Sequence, residues 1–121
     1  MNRSLRTVLG AVAALVLAGT LTAPAHGQAK AIPGCDWGTN HDVYVECQGG
    51  AGRYTAVGRA RNFFHGRIHL WGPNMDVWSD TRDWPSASGA GHNAGWVCAE
   101  GWRLNPNGSW SSVGLPCVQV T

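Results

Sequence analysis

Turn-forming residues cut this chain into lengths that suit strands and leave no room for long helices. Pro33-Gly34, the run Gln48-Gly49-Gly50-Ala51-Gly52, Gly72-Pro73-Asn74 and Asn105-Pro106-Asn107-Gly108 each interrupt it. Glycine supplies left-handed backbone, proline fixes φ and removes a donor, and asparagine tolerates the left-handed region. Beyond residue 28 no apolar set recurs at helical spacing for three turns. Short segments at intervals of roughly 8–12 residues predict an all-β fold, a small antiparallel β-sandwich or barrel. The expected strands are 42–47, 54–64 with a bulge at Gly58, 67–71, 75–79, 96–104, 109–113 and 117–120. Residues 80–94 lack any apolar period and contain Pro85, Gly89 and Gly91. They read as the one long loop, the kind of segment that often carries function.

The chain opens as an export signal. Arg3 and Arg6 precede an uncharged Ala/Leu/Val run over 7–21, and Ala23-Pro24-Ala25 fits the small-residue cleavage rule. Residues 1–25 are thus expected to be a signal peptide cleaved near Ala25 or Gly27, residues 26–34 a flexible lead-in, and residues 35–121 a single β domain. Of the 9 basic residues, Arg3 and Arg6 leave with the leader, so the remaining 7 balance the 7 acidic ones. A chain without net charge, basic runs or basic patches has no footprint for a phosphate backbone, so nucleic acid is not an expected partner. No membrane association is expected once the leader is gone, and a monomer is the expected state.

A domain this small usually needs covalent staples. Four cysteines in an exported chain read as two disulfides, with about three possible pairings. Cys35–Cys47 and Cys98–Cys117 are the expected pairs, because each closes a local hairpin or short excursion. No C-x-x-C spacing suggests a metal site, and no metal or cofactor is expected.

Seven tryptophans are far above ordinary usage for such a length. Period-2 reading of 96–104 puts Trp96, Cys98 and Trp102 on one face, and the disulfide suggests that this face is the inner one. Trp96 and Trp102 are therefore expected in the core, with an irregularity near Gly101. Trp110 is expected across the hairpin from Arg103, where the two could stack. In His65-Gly66-Arg67-Ile68-His69-Leu70-Trp71-Gly72, Ile68 and Leu70 should point inward and leave His65, Arg67, His69 and Trp71 on the outer face. Such a stripe suits a sugar ring, since an aromatic face covers apolar C–H groups while imidazole and guanidinium bond the hydroxyls. Arg67, His69 and Trp71 are the leading ligand-binding candidates, with Trp78, Trp84 and Trp110 as further stacking residues.

His65 and His69 are roughly 13 Å apart on a strand, too far to share one ion. Asp76, Asp80 and Asp83 lack the regular frame of a calcium loop and read as solvated carboxylates. No nucleophile elbow, zinc-protease motif or phosphate loop is present. Asp83 with His92 in the long loop is a minimal acid/base pair of the kind expected by chance, and no catalytic residue is assigned. Asn107-Gly108-Ser109 fits a glycosylation sequon but is explained by the turn.

The phrases "WVCAEGWR", "NGSW" and "GLPC" together with the Ala-rich leader resemble the small exported two-disulfide proteins of soil actinobacteria. That resemblance implies an extracellular β protein and no particular activity. The α-amylase inhibitors of similar plan use an exposed Trp-Arg-Tyr triplet, whereas this chain has Trp102-Arg103-Leu104. The expectation is a secreted, non-enzymatic module binding polysaccharide or cell-wall glycan. One alternative is an inhibitor of a secreted hydrolase, a protease or amylase, that uses 80–94 with Trp84-Pro85 as anchor. Another is a structural protein of the cell surface.

Overall fold

The computed structural model describes residues 34–121, so the expected signal peptide and nearly all of the lead-in lie outside the described residues. The described chain is all-β. Its strands are β1 (Trp37–Asn40), β2 (Val43–Gly50), β3 (Arg53–Ala60), β4 (His65–Gly72), β5 (Met75–Trp78), β6 (Arg82–Asp83), β7 (Ser86–Gly91), β8 (Gly95–Leu104), β9 (Trp110–Gly114) and β10 (Cys117–Val120). All pairings are antiparallel. The first sheet runs β1-β2-β3-β7 and the second β10-β8-β4-β5, with β6 beside β4 and β9 beside β8. The sheets face each other as a sandwich.

The core between them is built mainly of small and medium aliphatic groups. Val43, Val45 and Ala56 come from the first sheet, Ile68, Leu70, Val97 and Ala99 from the second, and Tyr54 closes one end with its hydroxyl donating to the Pro73 carbonyl at 2.6 Å. Gly58 does not bulge: it pairs in register with Val45 and Ala87. A Cβ there would lie 2.7 Å from the Ala99 Cβ, so this glycine lets the two sheets close on each other. The strand carrying it ends at Ala60, not Phe64, and 48–50 continue the ladder instead of forming a loop.

The expected long loop is mostly strand. Residues 86–91 pair with β3 along their length as β7. The inner face of β7 is Ala87, Gly89 and Gly91, and Gly89 packs under Val77 and Met75. A period of alanine and glycine carries too little hydrophobic weight to stand out in a sequence. Both expected disulfides are present, Cys35–Cys47 and Cys98–Cys117. The turn at 105–108 is also as expected, with Gly108 donating to the Asn105 carbonyl and φ +88° at Gly108. The first and last described residues meet: Thr121 N donates to the Gly34 carbonyl at 2.8 Å.

Candidate functional site

Register and alternation decide what stands on the outer face of the second sheet. Ile68 and Leu70 are fully buried, so β4 turns His65, Arg67, His69 and Trp71 outward. Arg67 lies opposite Trp102 on β8, His69 between Glu100 on β8 and Trp78 on β5, and Trp71 between Cys98 and Asp76. Gly66 makes the β4–β8 contact tight, because a Cβ there would collide with the Trp102 carbonyl.

These side chains form one stacked ladder. The Arg67 guanidinium carbon sits 4.5 Å from the Trp110 ring centroid and 4.7 Å from that of Trp78. Trp78 stacks on the His69 imidazole at 4.0 Å and 5°, and His69 meets Trp71 at 4.6 Å and 36°. The order is therefore Trp110, Arg67, Trp78, His69, Trp71. Each cation–π contact is worth about 0.5–1 kcal/mol at an exposed site, and each ring pair about 0.5–1.5 kcal/mol. Asp76 Oδ1 accepts a hydrogen bond from His69 Nε2 at 2.6 Å and fixes the imidazole plane.

The ladder brings together five of the six residues expected to bind ligand. Trp84 is not among them. It stands at the β6–β7 turn with φ +51° and packs edge-on against Phe63 at 5.6 Å, both rings more than half exposed. Trp84 N donates to the Phe64 carbonyl and Ala60 N to the Pro85 carbonyl, which pins this turn from both sides.

Three expectations need correction. Trp96 and Trp102 are not core residues: Trp96 is 58% exposed and Trp102 half-buried on the outer face. The Cys98–Cys117 bridge joins directly opposed residues on that outer face, so the rule that a disulfide marks the inner side fails here. The signal available was Val97, Ala99 and Gly101, a small apolar alternation that packs inward. Trp110 lies opposite Leu104, not Arg103, because the turn between β8 and β9 takes in Ser109; the register shift, expected near Gly101, falls farther along the hairpin between Gly101 and Trp102. The cationic partner of Trp110 is Arg67, which sequence spacing could not reveal.

Asp83 and His92 do not form a pair. Asp83 meets His65 Nδ1 at 2.8 Å, while His92 lines a cavity of about 230 Å³ with Arg53 and Asn74 at the Asn74 turn. Those places are at opposite ends of β4, whose eight residues span about 23 Å. Among the described residues no group of three His, Cys, Asp or Glu is placed to hold a metal ion, and no helix is long and apolar enough to cross a membrane.

Two donors under the ladder, Arg67 Nε and Trp102 Nε1, are buried without an acceptor among the described residues. Each such group costs about 1–3 kcal/mol. Comparison with protein-family models, with curated proteins and with solved structures finds no match to this chain.

Proposed function

We propose that the protein is a secreted binding module for polysaccharide or cell-wall glycan, and that the outer face of the second sheet is its contact surface. One observation carries this reading: none of the seven tryptophans belongs to the core, and five of them (Trp71, Trp78, Trp96, Trp102 and Trp110) share that face. Burying a large apolar side chain stabilises a fold by about 1.5–3 kcal/mol. A chain that gathers this much indole surface on one outer face, and strands two buried donors beside it, presents an aromatic patch of the kind that marks a contact site.

The ladder prepares the face for a ligand. Rings that stack on one another have already lost rotamer freedom, so a sugar chain meets fixed surfaces and little ordering entropy is lost on binding. Trp96, two residues before Cys98, is more than half exposed, and Trp78 and Trp110 add exposed indole surface to the same face. The two disulfides, and the lack of a membrane-spanning helix among the described residues, fit an extracellular location.

Pull-down on insoluble chitin, cellulose and peptidoglycan tests the reading. The protein should be retained on at least one, and Trp78→Ala with Trp110→Ala should weaken retention about tenfold, the equivalent of about 1.4 kcal/mol. Full recovery of wild-type protein in every supernatant rejects it.

A second reading, inhibition of a secreted hydrolase, draws support from the pinned and exposed Trp84 beside Phe63. Because 86–91 form β7, the presenting element is the short 80–85 turn. Assay of proteases and amylases with excess protein decides it: loss of one enzyme's activity, restored by Trp84→Ala, supports inhibition.

A further inference from the structure

The outer face of the first sheet carries a second cluster of the same chemistry. Trp37 on β1 lies opposite Glu46 on β2, and Glu46 lies opposite Val57 on β3. Trp37 is 62% exposed and stacks on Tyr44, with centroids 6.1 Å apart and planes 22° from parallel. The Arg59 guanidinium carbon covers the Tyr44 ring at 4.1 Å. Arg59 also approaches Glu46 Oε1 at 3.6 Å, and the Tyr44 hydroxyl donates to the same oxygen at 2.7 Å. Glu46 is thus held by two partners at one oxygen, while Oε2 has no hydrogen-bond partner among the described residues.

A shallow cavity of about 170 Å³ adjoins this cluster, lined by Glu46, Gln48, Thr55, Ala56 and Val57. That is well below the roughly 300–1,000 Å³ of sites for drug-sized ligands, and suits a single ring. The lining combines an apolar patch at Val57 with a carboxylate, an amide and a hydroxyl, which together offer donors and acceptors of every neutral kind. At the cavity itself the Glu46 charge is matched, since Arg59 sits against it, and Arg53, the other cation on this face, stands at the far end of β3. The ligand that fits is therefore uncharged, polyhydroxylated and about one ring in size.

We propose that this face is a second sugar site, taking one pyranose residue of a glycan, so that the protein is bivalent. This rests on the glycan reading above. Trp37, opposite Glu46 at the margin of the cavity and not part of its lining, supplies the apolar face on which the ring's C–H groups lie, and Glu46, Gln48 and Thr55 bond its hydroxyls. The two outer faces lie on opposite sides of the core, so a short oligosaccharide cannot occupy both at once. Long polymers can, and one molecule then joins two chains or two stretches of one chain, with avidity well above either single affinity.

Wild-type, Trp37→Ala and Trp78→Ala/Trp110→Ala proteins are titrated calorimetrically with chitohexaose and cellohexaose, with circular dichroism confirming that each is folded. Turbidity is followed on mixing with soluble glycol chitin or hydroxyethyl cellulose. Wild type should bind two oligosaccharides per chain and cloud the polymer. Trp37→Ala should bind one and leave the polymer clear while still adhering to the insoluble glycan. A wild-type stoichiometry of one that Trp37→Ala does not change overturns bivalency and leaves the second-sheet reading standing. Binding abolished by Trp37→Ala but untouched by Trp78→Ala/Trp110→Ala supports the Trp37 site and overturns the second-sheet reading. No binding of any probe by wild type overturns the second site, and the second-sheet reading falls with it when insoluble chitin, cellulose and peptidoglycan also fail to retain the protein.

Discussion

Trp96 and Val97 are neighbours on β8, and the smaller of the two is the buried one: Val97 is 0% exposed and Trp96 58%. The same inversion holds along the second sheet, where Leu70 and Ala99 face the core while Trp71 and Trp102 face out. The interior explains it. Gly58 brings the first sheet so close to Ala99, Ile68 and Leu70 that a single added methyl has no room, and an indole has far less. In a thin sandwich, direction is set by which side chains fit between the sheets, and bulk is exported to the outside.

That contrast is open to test from both sides. Leu70→Ala opens a hole among fully buried neighbours and should cost about 2–5 kcal/mol, seen as a large fall in the urea midpoint with no change in slope. Joint replacement of Cys98 and Cys117 by alanine removes a bridge across 19 residues of chain and should cost about 3 kcal/mol. Thermal unfolding of the double variant beside wild type without reductant measures it, since a reductant would also open Cys35–Cys47.

The two tyrosines sharpen the comparison through pH. Burial raises the Tyr54 phenol above its ordinary value, and the hydrogen bond to Glu46, ahead of burial, raises that of Tyr44. In each case the fold prefers the protonated phenol. The associated stability is complete below about pH 10, the unfolded value, and is lost as pH climbs through the folded-state value. Urea midpoints taken from pH 8 upward should fall beyond pH 10, and Tyr54→Phe should flatten the part owed to the interior. The smallest expected effect is that of Trp96→Ala, within about 0.5 kcal/mol. A loss as large as that of Leu70→Ala would mean that the indole is structural after all.

Strands β2, β4, β5, β8, β9 and β10, part of β3, the turn at 105–108, both disulfides and the inward pair Ile68/Leu70 were legible because each rests on local pattern or local chain length. The ladder was legible only in part. His69 and Trp71 follow from alternation within β4, yet Trp78 and Trp110 reach the ladder from other strands, and their register is fixed by the lengths of the two hairpin turns. Trp96 and Trp102 misled because a bridge between strands of one sheet can lie on either face. Strand β7 was hidden because alanine and glycine fill its inner positions. Trp37 gave no signal at all, since four residues of edge strand leave too little alternation to read.

The hydrogen bonds between Gly34 and Thr121 give the domain a single point of entry and exit. A cargo fused before residue 34 and another fused after 121 would emerge side by side. For the same reason residues 34–121 recut at the exposed Asn107-Gly108 turn, with Gly34 and Thr121 joined by a short linker, should refold to the same sandwich.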